Sequence, residues 1–130
     1  MTRRGWHRTG ADRGSVTLQY VILLPAIFAL IFTCIQVSLY SFARSVALTA
    51  AEKGADAQRA YGAPDGAGRA KADAIIASQG DTLRNPRVDV QVNGDQVVVT
   101  VTGFTQSVLP GFDGYQVSES ASGPIEEFRP

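Results

Sequence analysis

The sequence is short of the residues that most chemistry requires. Its 130 residues include one histidine, His7, and one cysteine, Cys34. A single cysteine excludes an intrachain disulfide, and with one histidine it leaves no set of metal-ligand spacing; Cys34 reads as a small apolar side chain. His7 stands among arginines near the N-terminus, so the rest of the chain has no imidazole for a Ser–His–Asp arrangement. Ser107, Ser118 and Ser120 have no base at a distinctive spacing. Asp89 and Asp95 could be imagined as paired carboxylates or a calcium site, but alternation makes Asp89 a solvent-facing strand residue and Asp95 a turn residue. Gly62, Gly66 and Gly68 follow no strand, as a phosphate-binding loop would require. These absences point away from an enzyme and away from any metal or cofactor.

Charge is missing over one long stretch. The 12 basic and 12 acidic residues cancel overall, yet none lies from Gly14 to Ala43, a gap of 30 residues. Ahead of it, Arg3, Arg4, Arg8 and Arg13 stand against Asp12, a sum of +3; behind it, eight basic residues face eleven acidic ones, a sum of −3. No basic patch exists away from the N-terminus, which excludes a uniformly basic nucleic-acid binder. Ten of the 12 basic residues are Arg, a bias that suggests a GC-rich bacterial gene.

What fills the gap is apolar. In the 19 residues of 21–39, fifteen are apolar, the exceptions being Pro25, Thr33, Gln36 and Ser38, and twelve are Val, Leu, Ile or Phe. At roughly −0.3 to −0.6 kcal/mol each, those twelve favour insertion into a bilayer by about −4 to −7 kcal/mol before the polar residues subtract. Residues 15–42 are expected to form a transmembrane helix about 42 Å long, more than the roughly 30 Å hydrocarbon core. Tilt, or emergence of one end, must absorb the excess. The four leading arginines place the N-terminus in the cytoplasm and residues 43–130 outside. Pro25 removes a helical N–H, so a kink or loosened turn is expected near 21–25. A cleaved secretory signal is the rival reading, with Ser45-Val46-Ala47 as a passable cleavage site; the apolar run is nearly twice the usual length for one. Arg3-Arg4 is a weak match to a twin-arginine signal.

Beyond the apolar run the helical pattern continues to about residue 61. Ala43, Ala47, Ala51 and Ala55 recur every four residues, a smooth stripe for close packing against the chain's own domain or against another subunit. Glu52, Asp56 and Arg59 mark the wet side. Gly62, Pro64, Asp65, Gly66 and Gly68 break the helix, with Asp65 placed to cap a second helix over 67–79, whose Ala72, Ile75 and Ile76 share a face. The period then changes to 2: Val88, Val90 and Val92, an Asn93-Gly94 type I′ turn, then Val97, Val99 and Val101. A two-residue loop there sets Val90 opposite Val97 and Val88 opposite Val99. Since a lone hairpin is marginal in water, residues 115–122, after a Pro110-Gly111 turn, are expected to add a third strand. The fold expected is therefore α+β: a single-pass N-terminal transmembrane helix extending into a small extracytoplasmic domain with a second helix and a three-stranded antiparallel sheet.

The order of these pieces carries a resemblance. Arg13-Gly14, the short polar stretch Ser15-Val16-Thr17-Leu18-Gln19-Tyr20 and a long apolar helix resemble a class III prepilin. Gly14-Ser15 at the membrane entry, Leu23-Leu24-Pro25 within it, Ala43-Arg44 at the exit, Glu52-Lys53-Gly54-Ala55, the valine hairpin, Val108-Leu109-Pro110-Gly111 and the ending 120–128 resemble TadE-like proteins, minor pseudopilins of tight-adherence pili. The resemblance implies a non-enzymatic membrane component of a pilus assembly and secretion system, whose partners are pilus or secretion subunits and a prepilin peptidase. It also implies residues 1–14 as a leader, cut on the cytoplasmic side between Gly14 and Ser15. The family motif has Glu five residues after the cut and an aromatic at six; Tyr20 fits, whereas Gln19 replaces the glutamate thought to pair with a terminal amine, and an amide offers hydrogen bonds in place of that ion pair. The alternative is a single-pass, membrane-anchored envelope binding module with no pilus role.

Overall fold

The computed structural model of the chain describes residues 9–109 and 111–127, with side chains from Gly14 onward. The leader residues Arg3, Arg4, His7 and Arg8, Pro110 of the expected turn, and Phe128 lie outside them. The chain forms two compact units, one ending at Cys34 and one beginning at Ile35, and helix α1 (Thr9–Arg59) contributes to both.

In the first unit α1 is the only element among the described residues. The helix continues through Pro25, although the proline cannot donate to the carbonyl of Val21 one turn before. Every side chain from Gly14 to Ile35 is exposed. A helix apolar all round, with no core of its own, requires an apolar surrounding.

The second unit is the α+β head expected from the pattern. It contains the rest of α1, helix α2 (Ala67–Ser78), a 3-10 turn (Gly80–Thr82) and strands β1 (Leu83–Asn93), β2 (Gln96–Thr105) and β3 (Gln116–Pro124). The strands form one antiparallel sheet in the order β1-β2-β3. Its inner face packs on the helices and its outer face carries Thr100, Thr102, Ser118 and Ser120. The core side of β2 reads Val97, Val99, Val101, Gly103, Thr105, all buried. Opposite it, α1 buries Ala43, Val46, Ala47, Ala50, Ala51, Gly54 and Ala55, a 3.6-period stripe in which only Val46 is larger than alanine. The sheet supplies volume and the helix supplies closeness.

Closeness is greatest where the helices meet. A Cβ on Gly54 would stand 2.9 Å from the Gly68 carbonyl oxygen and 3.3 Å from Val99, and one on Gly68 would stand 2.8 Å from the Gly54 carbonyl oxygen. The two glycines let α1 and α2 touch backbone to backbone.

Two local expectations are corrected. Asp65 does not cap α2; the N-cap is Gly66, at φ +85° and without a side-chain bond. Gln58 of α1 does that work instead, its Oε1 accepting the Gly68 N–H at 2.9 Å. In the hairpin Asn93 pairs with Gln96, so the two-residue loop is Gly94-Asp95, and Val90 faces Val99 while Val88 faces Val101. Positive φ falls on Gly94 (+64°) and not on Asp95, which excludes type I′ and fits type II′, with glycine first. The register is displaced by two residues, so the valines keep the expected face. β1 also starts earlier than the alternation suggests, because Asn85 (φ +49°) and Pro86 sit in a bulge between Arg84 and Arg87 that takes the proline out of the ladder.

At the far end of β2, Gly114 (φ +91°) lies against Thr105, and a Cβ there would overlap the Thr105 carbonyl oxygen. Gly62 has a similar φ of +73° but open space around it. Gly114→Ala should therefore destabilise the head by about 1–3 kcal/mol and Gly62→Ala by about 1 kcal/mol or less. Thermal unfolding of the full chain in detergent, monitored by circular dichroism, checks the difference.

Candidate functional site

The motif positions lie together on the first unit. Gly14 and Ser15 are inside α1 rather than before it, since the helix already begins at Thr9. Ser15 and Gln19 are four residues apart and share a helical face, and Gln19 and Tyr20 are both exposed. A Cβ on Gly14 would meet nothing within 4 Å, so no packing requires glycine here. What glycine does is weaken the helix, by about 1 kcal/mol relative to alanine. Thr33 returns its hydroxyl to the Ala29 carbonyl at 2.7 Å, a polar group satisfied within the helix. Cys34 is exposed, unlike the buried position usual for a small apolar cysteine.

On the second unit the alanine stripe Ala43, Ala47, Ala51 and Ala55 is 0–3% exposed. Its partner is the head's own sheet. One further residue of the apolar run is buried: Gln36, at 6% exposed. Its Nε2 donates to the Gln106 carbonyl at 2.9 Å and its Oε1 accepts the Val108 N–H at 3.2 Å. The side-chain amide pairs with residues 106 and 108 as a neighbouring strand's backbone would in a ladder. The signal in the sequence was a glutamine inside an apolar run, where an amide without a partner would be costly.

Three more contacts tie the head along α1. Tyr40 meets Tyr115 edge-on at 6.1 Å between ring centroids, and Tyr115 meets Phe112 at 4.9 Å. Arg44 donates from Nε to Glu119 at 2.6 Å. That hydrogen bond, then the charge of Glu119, hold the Arg44 guanidinium still more firmly in its charged form. Glu119 is an inner-face residue of β3, alternating with Val117 and Ala121, so the pair satisfies a carboxylate that the sheet turns toward the helix. At the C-terminal end the Glu126 N–H donates to the Arg59 carbonyl at 2.7 Å, and the stem of Arg59 lies where Gly123 leaves room.

For chemistry the head offers little. Among the described residues no group of three or more His, Cys, Asp or Glu could hold a metal ion. Asp89 and Asp95 are exposed, on strand and turn respectively, and Asp89 accepts from Gln91 at 3.1 Å. The open groove between α2 and the start of β1 is lined by Asp73, Ile76, Asp81, Arg84 and Gln106 among others.

The chain is thus of the class in which one helix, long and apolar enough to cross a membrane, carries a small α+β head. Residues 14–56 match the model of the TadE-like protein family, the family that the sequence resembles. The match starts at Gly14, runs through the apolar helix and the alanine stripe, and ends before α2 and the sheet. No curated protein and no solved structure matches the chain.

Gln36→Leu should leave the Gln106 carbonyl and the Val108 N–H unpaired, a loss of about 1–3 kcal/mol. Gln36→Glu keeps an acceptor for Val108. Hydrogen exchange on the full chain should then find the Val108 amide exposed in the leucine variant and still protected in the glutamate variant.

Proposed function

We propose that the chain is a non-enzymatic, membrane-anchored component of a tight-adherence pilus assembly system, a TadE-like minor pseudopilin. The family match over residues 14–56 supports this reading most directly. The exposed apolar surface from Val16 to Ile35 supports it physically, because only lipid or other apolar helices can cover that surface. With the alanine stripe occupied by the head, helix–helix assembly falls to this N-terminal part of α1. The leader arginines set the N-terminus in the cytoplasm and the head outside.

A membrane-embedded prepilin peptidase cuts between Gly14 and Ser15. Cutting there removes Arg3, Arg4, Arg8 and Arg13, the charges that hold the helix in its orientation, and leaves one α-amino group at that end. Extraction of the helix from the bilayer into an assembly is then easier. A peptide bond inside a helix must unwind to be cut, and glycine at position 14 lowers the energy of doing so. Gln19, on the face of Ser15, can receive a hydrogen bond from the new amine of its own or a neighbouring subunit. Uncut, the same chain would remain a fixed membrane component.

Mass spectrometry of the protein from native membranes or sheared filaments is expected to find a mature N-terminus at Ser15. An intact Met1 leader would sink the pseudopilin reading. Deletion of the gene should abolish or reduce piliation, whereas unchanged piliation would favour an anchored envelope module with no pilus role.

A further inference from the structure

We propose that the heads of neighbouring copies of this chain join edge to edge, the open edge of β3 in one copy pairing in parallel with the open edge of β1 in the next. The proposal goes beyond the pilus reading and takes from it only that α1 spans a membrane.

Both edges are open, and the direction of their backbone groups follows from the ladder. The Thr105 N–H donates to the Tyr115 carbonyl and the Ile125 N–H to the Asp95 carbonyl. The odd-numbered residues of β3 therefore bond to β2, and Ser118, Ser120 and Ser122 point their N–H and C=O groups away from it. On β1 the pair Asn93 and Gln96 closes a two-residue loop, so Asp89 and Gln91 bond to β2 while Val88, Val90 and Val92 point outward. Among the described residues no hydrogen bond from another segment reaches either outward row. β3 carries none of the devices that close an edge: no lysine, no bulge and no proline before Pro124. On β1 the bulge and Pro86 lie ahead of Arg87, and the ladder from there to Asn93 is regular.

The registers of the two edges match. Across β2, Arg87 is level with Ser118, Asp89 with Ser120 and Gln91 with Ser122, all on the outer face. A copy set alongside at the same level brings each serine of β3 beside one of these side chains. In a parallel ladder a residue bonds to the two that flank its neighbour, and Ser120 would meet the outward groups of Val88 and Val90. On the inner face Ala121 and Gly123 of β3 come level with Val90 and Val92, and Val92 is 52% exposed in the single chain. Small residues on one edge thus meet larger ones on the other.

Charge and direction select this pairing over a two-fold one. The flank of β3 is net acidic, with Glu119, Glu126 and, on α1, Glu52 and Asp56 against Arg44 and Arg59. The flank of β1 is net basic, with Arg84, Arg87 and, on α2, Arg69 and Lys71 against Asp73, Asp81 and Asp89. Two β3 edges would set acid against acid, whereas β3 on β1 sets acid against base. Within the head α1 also runs the same way as β3, since Tyr40 meets Tyr115, Arg44 meets Glu119 and Arg59 lies at Gly123. Two-fold pairing of β3 is antiparallel and would bring the two chains into their heads from opposite ends. Chains anchored in one bilayer enter in the same sense, which parallel pairing keeps. Such a head-to-tail contact repeats from copy to copy instead of closing at two.

The test is disulfide cross-linking of the full chain in phospholipid vesicles, in a Cys34→Ser background. Ser122→Cys and Gln91→Cys in the same chain should give a ladder of dimers, trimers and higher species on mild oxidation, and either alone should give monomer. Within one chain β2 separates these positions by about 9–10 Å, beyond disulfide reach. Adding Ser120→Pro removes an N–H that β2 does not use and should abolish the ladder, with thermal unfolding of the head unchanged. A ladder that survives the proline would overturn the proposal, as would dimers from Ser120→Cys alone, the mark of two-fold β3 pairing. Monomer from the double variant, while Phe28→Cys stays shielded from a water-soluble maleimide, would overturn it and leave the spanning helix intact. Reaction at Phe28→Cys would remove the spanning reading and the parallel pairing with it.

Discussion

Everything in the head depends on how closely α1 can approach the sheet. The stripe Ala43, Ala47, Ala50, Ala51, Ala55 with Gly54 offers almost no side-chain volume, so Val97, Val99 and Val101 reach the helix directly. Such packing gains dispersion over many short contacts and leaves no room for a larger residue. It also sets the path of α2, because Gly54 and Gly68 meet through their backbones. A head of under a hundred residues has little core to spare, and the fit of small residues against β-branched ones is how this head fills it.

Around that apolar contact, two glutamines on the same helix do similar jobs. Gln36 holds the backbone of the loop after β2, and Gln58 holds the turn before α2, accepting from Gly68 and donating to the Pro64 carbonyl at 3.4 Å. A primary amide is suited to this, since it presents a donor and an acceptor side by side, as a peptide group does. With Arg44 and Glu119 between them, these contacts spread along α1, so the helix that would anchor the protein is also the spine on which the head is assembled. Pulling on the helix pulls on the head.

The repeating features were legible in the sequence. The alanine stripe and the alternating valines each follow one period, and each became the element its period implied. The TadE-like resemblance, read from the order of weak motifs, agrees with the family match over 14–56. The features that escaped depend on which single residue takes a position, and most of them on its meeting a distant segment. Asn93-Gly94 carries the strongest hairpin signal in the chain, yet the turn forms one residue later, with Asn93 closing the ladder and glycine alone at positive φ. Asp65 has the chemistry of a helix cap, but Gln58, ten residues before the N–H that it caps, has the position. Gly54 looks like a breaker until α2 is laid across it, and Gln36 looks like a blemish in an apolar run until the loop at 106–108 is brought to it. No local pattern encodes such pairings.

The central proposal is that the charge-free, apolar part of α1 crosses the bilayer. Single-cysteine scanning of α1 in the Cys34→Ser background, in membranes opened to a water-soluble maleimide on both sides, tests it most directly. The account predicts an unreactive block through the apolar run, with reactivity returning by Arg44 and Ser45, which are exposed and follow the charge-free stretch. Reactivity at regular helical intervals through the apolar run would contradict it, since one wet face would mean that α1 lies along a surface or packs in water instead of spanning.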